Sequence, residues 1–231
     1  MLDPLPPAFA TTREALHAVA CYAIAPARKA ITGRIGLHPV HGGFGTPPLT
    51  DGSVIRVNEN RLQRIPGPKV DIEITTVRAA CEALGVEPVA DPGVGADLPP
   101  FEPDARLVID GASAAVLAAW YAFVDDVLTA AHAELAPTMS EAQLWPEHFD
   151  YAADWGRDDE HRVNLGGSPG DSYSAEPYLY AGPWDRDLLA ADRDFWNAPF
   201  GRTVGYAELL AADEPNRLGI ELFTSAAARV G

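Results

Sequence analysis

One stretch of this chain concentrates residues that can do chemistry. Between Leu144 and Trp184 stand His148 and Asp150, two residues apart, then Asp171 and Glu176, then Tyr178 and Tyr180, with Trp145 and Trp184 at the two ends. An imidazole beside carboxylates can act as a general base whose ring one acid orients. The same groups can ligate a divalent metal through one nitrogen and two or three oxygens. The aromatic residues offer flat apolar walls with polar tips, and glycines and prolines fix the turns between them. That mixture is the composition of a ligand pocket.

Residues 144–155 must position the His–Asp pair. Pro146 could open a helix. The alternation of Phe149, Tyr151, Ala153 and Trp155 with His148, Asp150, Ala152 and Asp154 instead predicts a strand. On a strand His148 and Asp150 share one face, about 7 Å apart. Tyr178 and Tyr180 share a face by the same argument. Each group also has a plainer reading. A histidine beside an aromatic strand commonly hydrogen-bonds to structure, a tyrosine pair packs across a sheet, and Asp171 after Pro169-Gly170 is a turn residue.

Other motifs are excluded on chemistry. Gly166-Gly167-Ser168-Pro169-Gly170 has the letters of a nucleophile elbow, but Pro169 lacks the amide that an oxyanion hole needs. It also lacks the Lys and Ser/Thr of a phosphate loop. His17 and His132 have no second histidine three or four residues away, so no helical metal pair exists. Cys21 and Cys81 form no CxxC or Cys/His ligand set and read as buried thiols.

Four elements of this stretch, Trp145–Asp150, Ser168–Asp171, Glu176–Tyr180 and Pro183-Trp184, resemble a bacterial domain family of unknown function. Its members carry Trp-Pro-x-His-Phe-Asp, Ser-Pro-Gly-Asp, Glu-Pro-Tyr-x-Tyr and Pro-Trp. The resemblance covers under a fifth of the chain. It implies that the stretch is one unit and implies no reaction.

The surrounding elements define an α+β class, with antiparallel sheet and helices packed on one side. Thr11-Thr12-Arg13-Glu14 predicts a capping box opening a helix, which Pro26 should end or kink. Gly and Pro then punctuate short β-prone runs at 34–37, 53–58, 61–65 and 70–74, with a turn at 58–60. A helix over 76–84 follows, capped by Thr75 and Gly85. The strongest helix is 112–135, where Leu117, Trp120, Tyr121, Val124, Leu128 and Ala131 form one stripe and Asp125 and Asp126 face away. A second meander is expected from 144–155, 162–165 and 177–181. Helices over 187–197 and 215–230 close the chain, with Gly219 weakening the last.

The halves read alike. Leu37-His38-Pro39-Val40-His41 and Leu144-Trp145-Pro146-Glu147-His148 both carry Leu-x-Pro-x-His, nearly half a chain apart, and Gly42-Gly43 and Gly166-Gly167 follow them. Two organisations are open: a half over 1–90 and a half over 107–231, pseudo-repeated as helix, meander and helix and joined by the Pro-rich stretch 86–106, or one compact domain.

The chain has 231 residues and a formal net charge of −16. Such an acidic protein is repelled by phosphate backbones and anionic membranes, so no nucleic acid and no membrane partner is expected. The Pro-rich start has no signal-peptide pattern, and no apolar run of membrane-spanning length is read, so a cytoplasmic location is expected. No cofactor and no oligomeric state can be read. The favoured function is small-molecule binding in a pocket lined by Trp145, Tyr178, Tyr180 and Trp184. The alternatives are a hydrolase or metal-dependent enzyme built on His148 with Asp150, Asp171 or Glu176, and a protein-interaction role for the acidic surface.

Overall fold

The first helix begins earlier than its capping residues suggest. In the computed structural model, which describes residues 2–66, 70–95, 98–136, 138–158 and 161–231, α1 spans Phe9–Val19 with no side-chain cap. Thr12 instead accepts a hydrogen bond from the Asp110 amide at 3.0 Å. Pro26 does not end the helix. A π-helical turn over Ala20–Ile24 leads directly into α2, Ala25–Thr32, with Pro26 in its first turn. Proline has no amide to give the carbonyl one turn back, and the extra residue of a π turn absorbs the misfit. The Cys81 thiol donates to that carbonyl, Tyr22 O, at 3.1 Å.

Two five-stranded antiparallel sheets make the fold α+β. The first is a simple meander of β1 (His38–Val40), β2 (Gly43–Gly45), β3 (Val54–Asn58), β4 (Arg61–Ile65) and β5 (Val70–Glu73). Residues 34–37 form no strand, and β2, too short and glycine-rich to read, does. Glu59 and Asn60 make the two-residue turn between β3 and β4, with Glu59 at φ 53°. Phe44, Ile55, Val57 and Leu62 are buried on one face. The other face carries Arg56 with Gln63, and Arg61 with Asp71, as a half-wet antiparallel sheet should. Helix α3, Val77–Leu84, is capped by Thr76 through its bond from Ala79 N (3.0 Å), and ends at left-handed Gly85.

The second sheet contains β6 (Gln143–Trp145), β7 (Asp150–Gly156), β8 (Arg162–Ser168), β9 (Tyr178–Pro183) and β10 (Arg202–Gly205), again in sequence order. Strand β8 runs on through the Gly166-Gly167 pair. Helix α4, Gly111–Leu135, precedes this sheet, and α6 (Tyr206–Ala211) and α7 (Pro215–Val230) follow it. The helix expected over 187–197 is only α5, Asp187–Ala191.

The chain divides into two compact units. One holds residues 5–119 and 144–149. The other holds residues 1–4, 120–143 and 150–231. The division falls within α4, and the Pro-rich stretch 86–106 lies wholly inside the first unit. In the second unit the sheet buries one face under helices. A side chain at Gly167 would strike Val124 and Trp120, and one at Gly219 would strike Leu179 and Val127 at 2.8 Å. Gly219 therefore lets α7 approach the sheet and α4 closely. Asp125 turns toward this sheet and accepts a hydrogen bond from the Tyr151 hydroxyl at 2.7 Å, contrary to its expected outward orientation.

Helix α4 is, by length and composition, long and apolar enough to cross a membrane, which the sequence reading did not anticipate. Half of its most apolar stretch is buried. Its stripe from Leu117 to Ala131 is buried throughout.

Candidate functional site

Strand periodicity sorts the second sheet into an apolar and a polar face. Tyr151, Leu165, Leu179 and Val204 point one way. The other face follows from register: Asp150 lies opposite Ser168 by extension of the β7–β8 pairing, Ser168 opposite Tyr178, Asp154 opposite Asn164, Gly166 opposite Tyr180, and Tyr180 opposite Thr203. Asp150, Asp154, Asn164, Ser168, Tyr178, Tyr180 and Thr203 thus share one surface.

Gly166 makes the centre of this surface possible. A Cβ there would meet the Tyr180 hydroxyl at 2.9 Å and Ala152 Cβ at 2.7 Å. With no side chain in the way, the Tyr180 ring crosses the strand and its hydroxyl donates to Asp150 Oδ2. Asp150 is buried, only 7% exposed. Burial, and then the Asp150 charge, hold the Tyr180 hydroxyl well above the ordinary tyrosine range, so it stays a donor.

Tyr178 stands beside Tyr180, ring centroids 6.2 Å apart. Its hydroxyl donates to Asp171 Oδ2 at 2.7 Å, and burial followed by that bond raises its pKa. Asp171 also accepts from the Tyr173 amide (2.8 Å), the Ser174 amide (3.3 Å) and the Ser168 hydroxyl (3.4 Å). These donors make Asp171 the clasp of the 168–174 turn, which leaves little of its carboxylate for chemistry. Tyr173 and Phe200 complete an aromatic cluster, with Tyr173 edge-on to Phe200 at 4.9 Å and to Tyr178 at 5.3 Å.

A pocket of about 310 Å³ opens beside this cluster. Asn164, Tyr180, Gly182, Pro183, Trp184, Arg186 and Phe200 line it. The Trp184 indole donates to Asn164 Oδ1, and the Arg162 guanidinium lies 4.4 Å from its ring centre. These contacts fix the ring as a wall. Burial raises the pKa of nearby Asp154, and the Arg162 charge partly opposes the rise.

Of the eight residues singled out by sequence, five fall on this surface or its rim: Asp150, Asp171, Tyr178, Tyr180 and Trp184. Glu176 is exposed in the loop before β9, where its amide bonds Ser174 Oγ (3.2 Å), and its carboxylate joins none of the bonds described above. His148 and Trp145 belong to the other unit.

The continuous strand expected over 144–155 is broken. Residues 146–149 form a turn with Phe149 in the left-handed region (φ 56°), so His148 and Asp150 do not share a strand face. Packing holds this unusual backbone. Phe149 is buried, stacked on His17 at 5.0 Å and edge-on to Phe44 at 5.2 Å. His148 itself is exposed. The partly buried imidazole of this region is His17, whose Nε2 donates to Pro146 O at 2.9 Å. The Cys21 thiol donates to the same carbonyl at 3.0 Å. Burial pushes His17 down to about 4, so it is neutral at pH 7. Among the described residues no group of three or more His, Cys, Asp and Glu side chains is placed to hold a metal ion.

Asn164, Arg186, Phe200 and Tyr173 escaped the sequence reading. Asn164 could have been found by extending period two along the whole of β8. Phe200 carries no spacing signal, because a turn brings it to Tyr180.

Fold and site together describe an α+β protein of two meander sheets with a polar, aromatic-walled pocket on one of them. The chain matches no protein-family model, no curated protein and no solved structure.

Proposed function

We propose that this protein binds a small planar molecule in the pocket beside Tyr180. The observation that supports the reading most directly is the convergence of Tyr180, Trp184 and Phe200 on one cavity whose polar edge is Asn164 and Arg186. Three aromatic rings suit a flat, conjugated body, and ring stacking is favourable beyond area burial alone. Asn164 and the Tyr180 hydroxyl supply directional polar contacts. Arg186, the charged residue in the wall, suits an acidic substituent such as a carboxylate. The cavity volume is at the small end for ligand sites, which favours a one- or two-ring compound. The acidic residues of the same surface serve this site by fixing its tyrosines, a positioning role that does not require proton transfer.

The test uses Trp184 as its own reporter. Titration with a panel of one- and two-ring aromatic carboxylates and their neutral amides should quench tryptophan fluorescence saturably for the acids. Phe200→Ala and Arg186→Gln should each weaken that binding. Absence of saturable quenching across the panel, or quenching indifferent to both substitutions, overturns the reading.

A further inference from the structure

The edge strand β10 and helix α7 enclose a second cavity of about 340 Å³ within the same unit. Two guanidinium groups converge there on one ring. Arg202 Cζ lies 4.4 Å and Arg229 Cζ 3.9 Å from the centre of Phe195. The remainder of the wall is mainly apolar, from Val204, Leu218 and Leu222, with Ser225 at one side.

The charges in this cavity are unevenly matched. Arg229 is paired with Asp192. Glu221, the acid in the wall, is engaged by Arg217 at 2.9 Å. Arg202 has its ring contact but no hydrogen-bond or ion-pair acceptor among the described residues. It is only partly exposed, because β10 points it and Val204 toward α7. A guanidinium stacked on an aromatic face keeps its N–H donors in the plane of the group, directed away from the ring. In a chain of net charge −16, an arginine held half-buried without an acid is a position that an incoming oxyanion would complete.

We infer that this cavity is a second binding site, one for an amphiphilic carboxylate. The head group would pair with the in-plane donors of Arg202, with Arg229 adding positive field. The apolar body would lie on Val204, Leu218 and Leu222. No atom of this site belongs to the aromatic pocket beside Tyr180.

Calorimetric titration of the intact protein with octanoate, 1-octanol and inorganic phosphate tests the assignment. Octanoate should bind saturably, 1-octanol much more weakly, and phosphate, which lacks the apolar body, more weakly than octanoate. Arg202→Gln should weaken octanoate by about tenfold or more, the scale of a lost charge-assisted pair. Arg229→Gln should weaken it less, and Trp184→Phe, in the other pocket, should leave it unchanged. Should Arg202→Gln fail to fold, Arg202→Lys decides: it keeps the charge, loses the planar fork, and should still bind more weakly than the parent. Equal binding of octanoate and octanol, phosphate binding as tight as octanoate, unchanged affinity in the folded Arg202 variant, or a loss in Trp184→Phe overturns the proposal.

Discussion

Leu37 and Leu144 pair with each other, the amide of Leu37 bonding the carbonyl of Leu144 at 2.7 Å and the reverse bond closing at 2.9 Å. This is a reciprocal antiparallel bridge. Each leucine opens a Leu-x-Pro-x-His segment, so the two copies of the motif meet at their first residues. The residue after each motif histidine has positive φ, Gly42 at 82° and Phe149 at 56°. Each segment therefore turns at the same place, into β2 in one case and β7 in the other. The first meander, β1 to β5, runs without a helix, whereas α5 interrupts the second between β9 and β10.

The bridge makes a stability prediction. Both leucines are buried, Leu37 at 1% and Leu144 at 0% exposure. Leu144→Ala should cost about 2–5 kcal/mol through lost burial and the cavity left behind. Chemical denaturation measures it, and a cost near zero would mean that this contact does not hold the first unit together.

The Gly166-Gly167 pair should tolerate no side chain at either position. Alanine at 166 meets Tyr180 and Ala152 on the polar face, and alanine at 167 meets Val124 and Trp120 on the apolar face. Each substitution should destabilise by about 1–3 kcal/mol as overpacking does. Gly166→Ala should also displace Tyr180 and weaken whatever ligand the aromatic pocket takes, while Gly167→Ala should spare it.

Much of this was legible from the residues alone. The α4 stripe is a long 3.6-residue repeat, and β4 and α7 have clear patterns and breakers, so local chemistry and tertiary packing agree there. What misled was the turn at 146–149. Its residues alternate like a strand, and only the burial of Phe149 between His17 and Phe44, a long-range contact, holds it in the left-handed region. The His148–Asp150 pair vanished with that strand. The tyrosine face and the Asp171 turn were readable because they depend on period two and on Pro-Gly chemistry, which are local. The remaining pocket residues come from elements whose pairing no local pattern specifies.

Tyrosine titration distinguishes the buried phenols from the rest. Burial and carboxylate partners raise the pKa values of Tyr151, Tyr178 and Tyr180, and burial pushes Tyr206 up to about 12. Phenolate absorbance from these four should therefore appear only above the ordinary tyrosine range, as the fold opens. Tyr180→Phe should remove one late-titrating group. It should also cost about 1–3 kcal/mol, because buried Asp150 loses a donor. A single-stage titration near pH 10 would contradict the burial of these hydroxyls.

Both thiols should resist modification in the native protein. Burial raises Cys21 strongly and Cys81 to about 11, so little thiolate is present at pH 8. A maleimide or disulfide reagent should react at the rate of unfolding. Cys81→Ala should also leave the Tyr22 carbonyl without its thiol donor beside Pro26, costing about 1–3 kcal/mol. Rapid labelling of either cysteine under native conditions would contradict this packing.

His17 should contribute to the loss of stability in acid. Its pKa is 6.5 when unfolded and about 4 when folded, with burial the main cause. Between those values the unfolded chain binds a proton that the native state refuses. Its contribution is therefore complete above pH 6.5 and is lost as pH falls toward 4, up to about 3 kcal/mol. Carboxylates also titrate in this range, so the informative quantity is the difference between proteins. His17→Phe keeps a flat ring against Phe149 but has nothing to protonate, and its stability should fall less steeply from pH 6.5 to 4. Above pH 7 the variant should be the less stable of the two, since the Pro146 carbonyl loses its Nε2 donor. Parallel stability–pH curves for the two proteins would show that His17 titrates alike in the folded and unfolded chain, and that it is not buried as described.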